Sequence, residues 1–288
     1  MKKIIGFGLV GLLSLLGACS ANTNAEKEGQ EKKLDKVVVG SMNTDAEIWE
    51  FIAKSDLAKE ANLEIEVKAI DGGPQLNSAT VDGSVGVNAF QSLGYLVSFN
   101  KDSKEKLVPI ATTYMEPMGI YSDKYESLDE VKDGGLVALA DNPSNTARGL
   151  RLLEDAGLIT LSDTFDNGTG TPSDIVDNPK QLEFTLIDDT TGPRILQDVD
   201  LALISNSIAF DSGLNVLSDS LYKEEINQNT KTSINVLATT EQNKDNEVIN
   251  KLAALYHSQE VTDYIKENFG GTKVDVQEDI DSLWDSVQ

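Results

Sequence analysis

The chain has 288 residues, 40% of them hydrophobic, and its 24 basic and 48 acidic side chains give a formal charge of −24. That length supports two modest domains or one large one, and the acidic excess argues against nucleic acid as a partner and against polybasic attachment to a membrane. Cys19 is the only cysteine and His257 the only histidine, which excludes an intramolecular disulfide, a thiolate zinc cluster and a two-histidine mechanism.

Lys2 and Lys3 precede an apolar run from Ile4 to Leu16. The run is short for a bilayer span and has the form of a signal peptide. It ends in Leu16-Gly17-Ala18-Cys19, which resembles a bacterial lipobox. The resemblance implies a signal peptide over 1–18 and a lipid on Cys19; the plainer reading is an ordinary signal peptide with an incidental cysteine. Removing two lysines takes the charge to −24 − 2 = −26. Residues 19–35 are polar and read as the lipidated cysteine and a flexible tether, with the folded part starting near Lys36.

Val37–Val39 predicts a strand, and Gly40–Thr44 a turn. Asp45 is a candidate cap for a helix carrying Ile48, Phe51 and Ile52. Leu63, Ile65 and Val67 alternate with charged residues as in a half-buried strand. Gly72-Gly73-Pro74 interrupts the chain before a helix through Leu76 and Ala79. A strand at Val85–Val87, a helix from about Phe90, and strands at Leu107–Thr112 and Met118–Tyr121 follow. The second half repeats the rhythm: strand 136–140, helices 145–156 and 173–178, strand 182–187, helix 192–197, strands 200–204 and 234–238. A long helix over 245–268 carries Val248, Leu252 and Leu255 on one side, with His257 opposite and solvated. Alternating strands and helices indicate an α/β fold, and two such blocks about 100 residues apart suggest two lobes.

Ala138–Ile159 is the most informative stretch. Apolar residues to Ala140 meet the breaker Asp141-Asn142-Pro143, Ser144 or Asn145 is placed to cap a helix, and Gly157 to end it. Ala147, Leu150 and Leu153 share one face, and Arg148 points the other way, three residues after Asn145. A cation in a first helical turn opposes the macrodipole unless an anion is held there too. A solvated surface arginine is the plain alternative.

The chain lacks a GxSxG elbow, a GxxxxGK[ST] loop, an HExxH pair and a GxGxxG fingerprint. Its acidic 163–174 segment misses the EF-hand spacing. No catalytic residue, metal or cofactor is expected.

Taken together, several pieces resemble the NlpA/MetQ-type substrate-binding lipoproteins of methionine ABC importers, from Val37 to about Thr272. They are Asn88-Ala-Phe-Gln91, Glu116-Pro-Met-Gly-Ile-Tyr-Ser122, Asn142-Pro-Ser-Asn-Thr-Ala-Arg148, Asp174-Ile-Val-Asp-Asn-Pro-Lys180, Asp198-Val-Asp200 leading to Asn206, and Asn235. The resemblance implies a two-lobed periplasmic-binding-protein fold of type II-like form. Its lobes would be 36–118 plus 236–288 and 119–235, with crossings near Met118 and Asn235. It implies an α-amino-acid ligand, methionine or a derivative, delivered to an ABC permease and its ATPase from the extracytoplasmic face of the cell membrane. Arg148 matches the arginine for the ligand carboxylate and Asn145 a neighbouring contact. Asn206 and Asn235 match asparagines for the amino-acid backbone groups; a helix cap and a strand end are their plain readings. Asn88, Gly72, Gly73 and Ser92 are also expected at the ligand.

The chain departs from the family on the side-chain half of the pocket. Gly72 and Gly73 stand where an Asp-Tyr pair is usual, Ala89 replaces an aromatic, Ser92 a histidine and Gly94 a proline. Either other aromatics refill that wall, with Trp49, Phe90, Tyr95 and Tyr114 as candidates, or the pocket is larger; a place in the core is the equal alternative for each of the four and the favoured one for Phe90. A short peptide or another amino acid is therefore an alternative ligand, and a surface-anchored hydrolase or an adhesin is the alternative of a different class.

Overall fold

The computed structural model describes residues 34–225 and 228–287. The signal peptide, Cys19 and nearly all of the tether lie outside the described residues. β1 (Asp35–Ser41), α1 (Asn43–Lys54), α2 (Asp56–Glu60), β2 (Leu63–Ala69), α3 (Gly73–Val81), β3 (Val87–Ser92), α4 (Leu93–Asp102) and β4 (Leu107–Thr112) come first. β5 (Tyr114–Met115), β6 (Met118–Tyr121), β7 (Leu136–Ala140), α5 (Pro143–Asp155), β8 (Thr160–Leu161), β9 (Ile175–Asp177), β10 (Glu183–Ile187), β11 (Leu201–Ser205), α6 (Asn206–Asp211) and β12 (Tyr222–Lys223) follow. β13 (Asn235–Thr240), α7 (Glu247–Tyr256), α8 (Gln259–Asn268), β14 (Val274–Asp275) and α9 (Ile280–Asp285) complete it.

The strands form two five-stranded mixed sheets, ordered β2-β1-β3-β13-β4 and β10-β7-β11-β6-β12. In the first, β1 is parallel to β2 and β3, and β13 runs antiparallel to β3 and β4. In the second, β7 is parallel to β10 and β11, and β6 is antiparallel to β11 and β12. Each sheet has its own core. Val37, Val39, Ile48, Trp49, Ile52 and Leu252 pack in the first, and Val137, Leu139, Leu150, Leu153 and Leu201 in the second. The fold is thus α/β with two lobes. The chain leaves the first sheet after β4, and β13 returns to it after β12.

The periodic segments form as their patterns predict. β2 buries Leu63 and leaves Glu64 and Glu66 exposed, and α5 buries Ala147, Leu150 and Leu153 completely. Each such leucine contributes about 1.5–3 kcal/mol through area removed from water. Gly157, at φ +76°, follows the end of α5 as expected.

Boundaries differ where long-range contacts outweigh local signals. α1 starts at Asn43, so Asp45 lies within its first turn and turns inward instead of capping. β3 continues to Ser92, and Phe90 is a strand residue, because Ser92 pairs in register with Asn235 of β13. Asn142, not Ser144 or Asn145, caps α5: its side chain accepts from the Asn145 N–H at 2.9 Å. The helix expected at 173–178 is a 3-10 turn over 172–174 followed by β9, and that expected at 192–197 is a 3-10 turn over 189–195 with Pro193 inside. Pro193 lacks the N–H that α-helical bonding there would use. The helix over 245–268 breaks into α7 and α8. His257 at the break is not solvated: its ring nitrogens lie 2.7 Å from Asp275 Oδ1 and 2.9 Å from the Thr112 carbonyl oxygen.

Candidate functional site

A cleft of about 700 Å³ lies where the first turns of six helical segments converge: α1, α3, α4, α5, the 3-10 turn from Asp189, and α6. Each follows the carboxyl end of a sheet strand: β1, β2, β3, β7, β10 and β11. Loops after parallel strands open there and bring free N–H groups to one place, which is where α/β proteins bind ligands.

Of the residues expected at the ligand, Arg148, Asn145, Asn235, Gly72, Gly73 and Ser92 line the cleft, and Asn206 and Asn88 do not. Asn88 is fully buried and belongs to an internal network. It donates to Thr80 Oγ1 at 2.7 Å and to Asn77 Oδ1 at 3.1 Å, and accepts from Gln91 Nε2 at 2.7 Å. Its place is behind Gln91, which does line the cleft. Ser92 spends its hydroxyl on the start of α4, accepting from the Tyr95 N–H at 3.2 Å.

Arg148 is 14% exposed and is already paired with a protein carboxylate. Its Nε donates to Glu224 Oε1 at 3.0 Å, Nη2 forms a short contact with Glu224 Oε2, and Nη2 also donates to the Glu116 carbonyl oxygen at 2.8 Å. Burial alone would lower the guanidinium pKa; the charge and hydrogen bonds of Glu224 raise it instead. Asn145 and Arg148 do not hold one anion between them; each has its own protein carboxylate. Asn145 Nδ2 donates to Asp189 Oδ2 at 3.2 Å, and Asn142 Nδ2 donates to the same oxygen at 2.9 Å. Asp189 therefore occupies the anion position at the start of α5. Burial, with Asp188 and Asp141 nearby, raises its pKa despite those two donors.

The floor of the cleft is an ionic cluster that sequence reasoning missed. Lys273, with a fully buried side chain, donates to Glu116 Oε2 at 2.9 Å and to Asp45 Oδ1 at 3.2 Å. Its ammonium also lies 3.8 Å from the centre of the Tyr114 ring. Glu116 accepts from Asn206 Nδ2 at 2.8 Å and from the Ser207 hydroxyl at 2.7 Å, and Tyr114 donates to Asp45 at 2.6 Å. Burial would raise Glu116, but Lys273, Ser207 and Asn206 outweigh it and hold the carboxyl below its ordinary value. Asp45 goes the other way: burial and the Glu116 charge raise it in spite of Lys273. The cluster joins α1, α6 and the β5–β6 connection. The motif from Glu116 was visible in the sequence, but nothing local marks Lys273, which lies 157 residues further on.

Asn206 and Asn235, both at this end, keep unused capacity. Asn206 is 1% exposed, and its Oδ1 has no hydrogen-bond partner. Asn235 is 8% exposed and lines the cleft, and its side-chain amide is unpaired among the described residues.

The aromatic wall is rebuilt from one side. Phe90 and Tyr95 both line the cleft, packed edge to face with centroids 5.8 Å apart. A Cβ on Gly73 would lie 2.3 Å from the Tyr95 hydroxyl oxygen and 2.9 Å from Phe90, so the glycine makes room for the rings. Trp49 and Tyr114 belong to the core below.

Among the described residues no cluster of three His, Cys, Asp or Glu could hold a metal ion, and no helix is long and apolar enough to cross a membrane. The chain is 35% identical to the D-methionine-binding lipoprotein MetQ of Salmonella typhimurium, covering 92% of this chain and 94% of that one. It is 32% identical to a probable D-methionine-binding lipoprotein of Pasteurella multocida, covering 94% and 97%. The structure is similar to protein PG110 of Staphylococcus aureus, with a TM-score of 0.83 and 35% identity, covering 88% of this chain and 100% of that one. It is also similar to a nutrient binding protein of Burkholderia cenocepacia bound to methionine, with a TM-score of 0.79 and 32% identity, covering 83% and 99%. The model of the NlpA lipoprotein family matches residues 37–277, and the chain belongs to that family.

Proposed function

We propose that this chain is the lipid-anchored, extracytoplasmic receptor of an ABC importer, and that its ligand is an α-amino acid of the methionine type. The observation that carries the reading is the grouping of Arg148, the unpaired Asn235 amide and the cleft between the two sheets. The guanidinium would take the ligand carboxylate, sharing or displacing Glu224. The Asn235 side-chain oxygen would accept from the ligand ammonium, which gives a partner to a group that otherwise stays unpaired. Asn145 and Ser92 are polar neighbours, and Gly72 and Gly73 allow close approach. We place one lobe at 36–118 plus 236–288 and the other at 119–235, and we expect hinge closure to bury the ligand. A lipid on Cys19 would tether the receptor near its permease and ATPase. No nucleic acid, cofactor or metal, and no catalysis, enters this reading.

Isothermal titration calorimetry with L- and D-methionine is the test. Saturable binding that Arg148→Ala weakens by at least 100-fold is expected. Unchanged affinity in that variant would defeat the site assignment, and heats no larger than dilution for every α-amino acid would defeat the function.

A further inference from the structure

The two buried cations at the cleft are already spent. Arg148 is held by Glu224, and Lys273 is held by Asp45 and Glu116. The start of α5, where a ligand anion was expected, faces Asp189. Arg194 lines the cleft but is exposed and makes no ion pair among the described residues.

The opposite holds for the acids. Asp71, Asp141 and Asp188 line the same cleft, exposed as Arg194 is and with no cationic partner among the described residues, and the half-buried Asp189 is bonded only to the two asparagine amides. Seven carboxylates line the cleft (Asp45, Asp71, Glu116, Asp141, Asp188, Asp189 and Asp211) against two guanidiniums, a local balance of 2 − 7 = −5. Adding Lys273 and Glu224, which bind lining residues, leaves the balance at −5 + 1 − 1 = −5. Three of these acids, Asp141, Asp188 and Asp189, come together at the start of α5, where the Asp141 N–H donates to the Ile187 carbonyl oxygen at 2.7 Å and the Asn142 and Asn145 amides donate to Asp189, and Tyr95 lines the same cleft; burial, and after it their charges, push the Tyr95 hydroxyl well above its ordinary pKa. Closing a cleft around uncompensated carboxylates is unfavourable unless the ligand brings positive charge. The edge-to-face Phe90 and Tyr95 pair beside them offers ring faces of the kind that bind onium groups. Asn235, more than nine-tenths buried yet unpaired, adds an oxygen acceptor to the same cleft.

We infer that the side-chain half of this cleft, formed by Phe90, Tyr95, Asp141, Asp188 and Asp189, selects an α-amino acid whose side chain ends in a cation. This rests on the amino-acid-receptor reading and changes only the side chain. The class contains sulfonium derivatives of methionine, which keep its chain length, and side chains ending in an ammonium.

The test is calorimetry of the full mature chain with methionine, S-methylmethionine, norleucine and lysine, at low and at 0.5 M salt. At least one cationic ligand is expected to bind ten-fold or more tighter than methionine at low salt, about 1.4 kcal/mol, with that advantage shrinking at high salt. S-methylmethionine against lysine separates the sulfonium from the ammonium. Asp141→Asn and Asp188→Asn together should remove the advantage; Asp188→Asn keeps the oxygen that accepts from the Thr190 N–H. Methionine binding as tightly as both cations overturns the inference while the receptor reading stands. So does an advantage that survives in the double variant or is indifferent to salt in the wild type, a comparison that needs no variant to fold. Failure of every α-amino acid to bind defeats both.

Discussion

Lys273→Met tests whether the ionic floor holds the lobes' shared architecture. Methionine preserves the stem volume and removes the charge, leaving Asp45 and Glu116, whose side chains are 7% and 8% exposed, without their cation. Removing one partner of a buried ion pair costs about 3–5 kcal/mol, because the other charge stays desolvated. At roughly 2–4 °C per kcal/mol for a chain of this size, the unfolding midpoint should fall by about 6–20 °C at pH 7. The deficit should also depend on pH. Without Lys273, burial and the repulsion between the two carboxylates outweigh the donors that remain, Ser207 and Asn206 on Glu116 and Tyr114 on Asp45, so their folded pKa values lie above the unfolded value of about 4. As pH falls from 7 towards 4 the folded state then binds more protons than the unfolded state, and the variant gains stability relative to wild type. Thermal unfolding by circular dichroism between pH 5 and 8 measures both effects. A midpoint within about 2 °C of wild type, or a deficit that widens as pH falls, would refute the reasoning.

Three further outcomes follow from the same geometry. Glu224→Gln releases Arg148 from a full counter-charge, so methionine affinity should rise several-fold while stability falls by about 1–3 kcal/mol; weaker binding measured by calorimetry would mean that Glu224 orients the arginine instead of competing with the ligand. Gly73→Ala puts a Cβ 2.3 Å from the Tyr95 hydroxyl oxygen. It should displace the ring end and change ligand selectivity more than stability, which competition binding and a melting curve would separate. Leu150→Ala opens a cavity in the fully buried face of α5 and should cost about 2–5 kcal/mol in urea unfolding, with ligand affinity at saturation of folding unchanged.

What the sequence by itself determined is the part written in local pattern. The alternation in β2 and the apolar face of α5 are each complete within about a dozen residues. The α/β rhythm follows from them, and the ordered motifs around Arg148, Asn206 and Asn235 led to the family. Tertiary structure decided whatever depended on partners far along the chain. Pairing with Asn235 extended β3 through Phe90 to Ser92. The internal amide network drew Asn88 away from the ligand cleft. Lys273 neutralises acids 228 and 157 residues away, and no spacing rule reaches that far. The anion expected at Arg148 and at the start of α5 is supplied by the protein itself, through Glu224 and Asp189. Charge at a position can be read from a sequence; whether that charge is already neutralised depends on desolvation and on distances of about 3 Å, which only the folded chain sets.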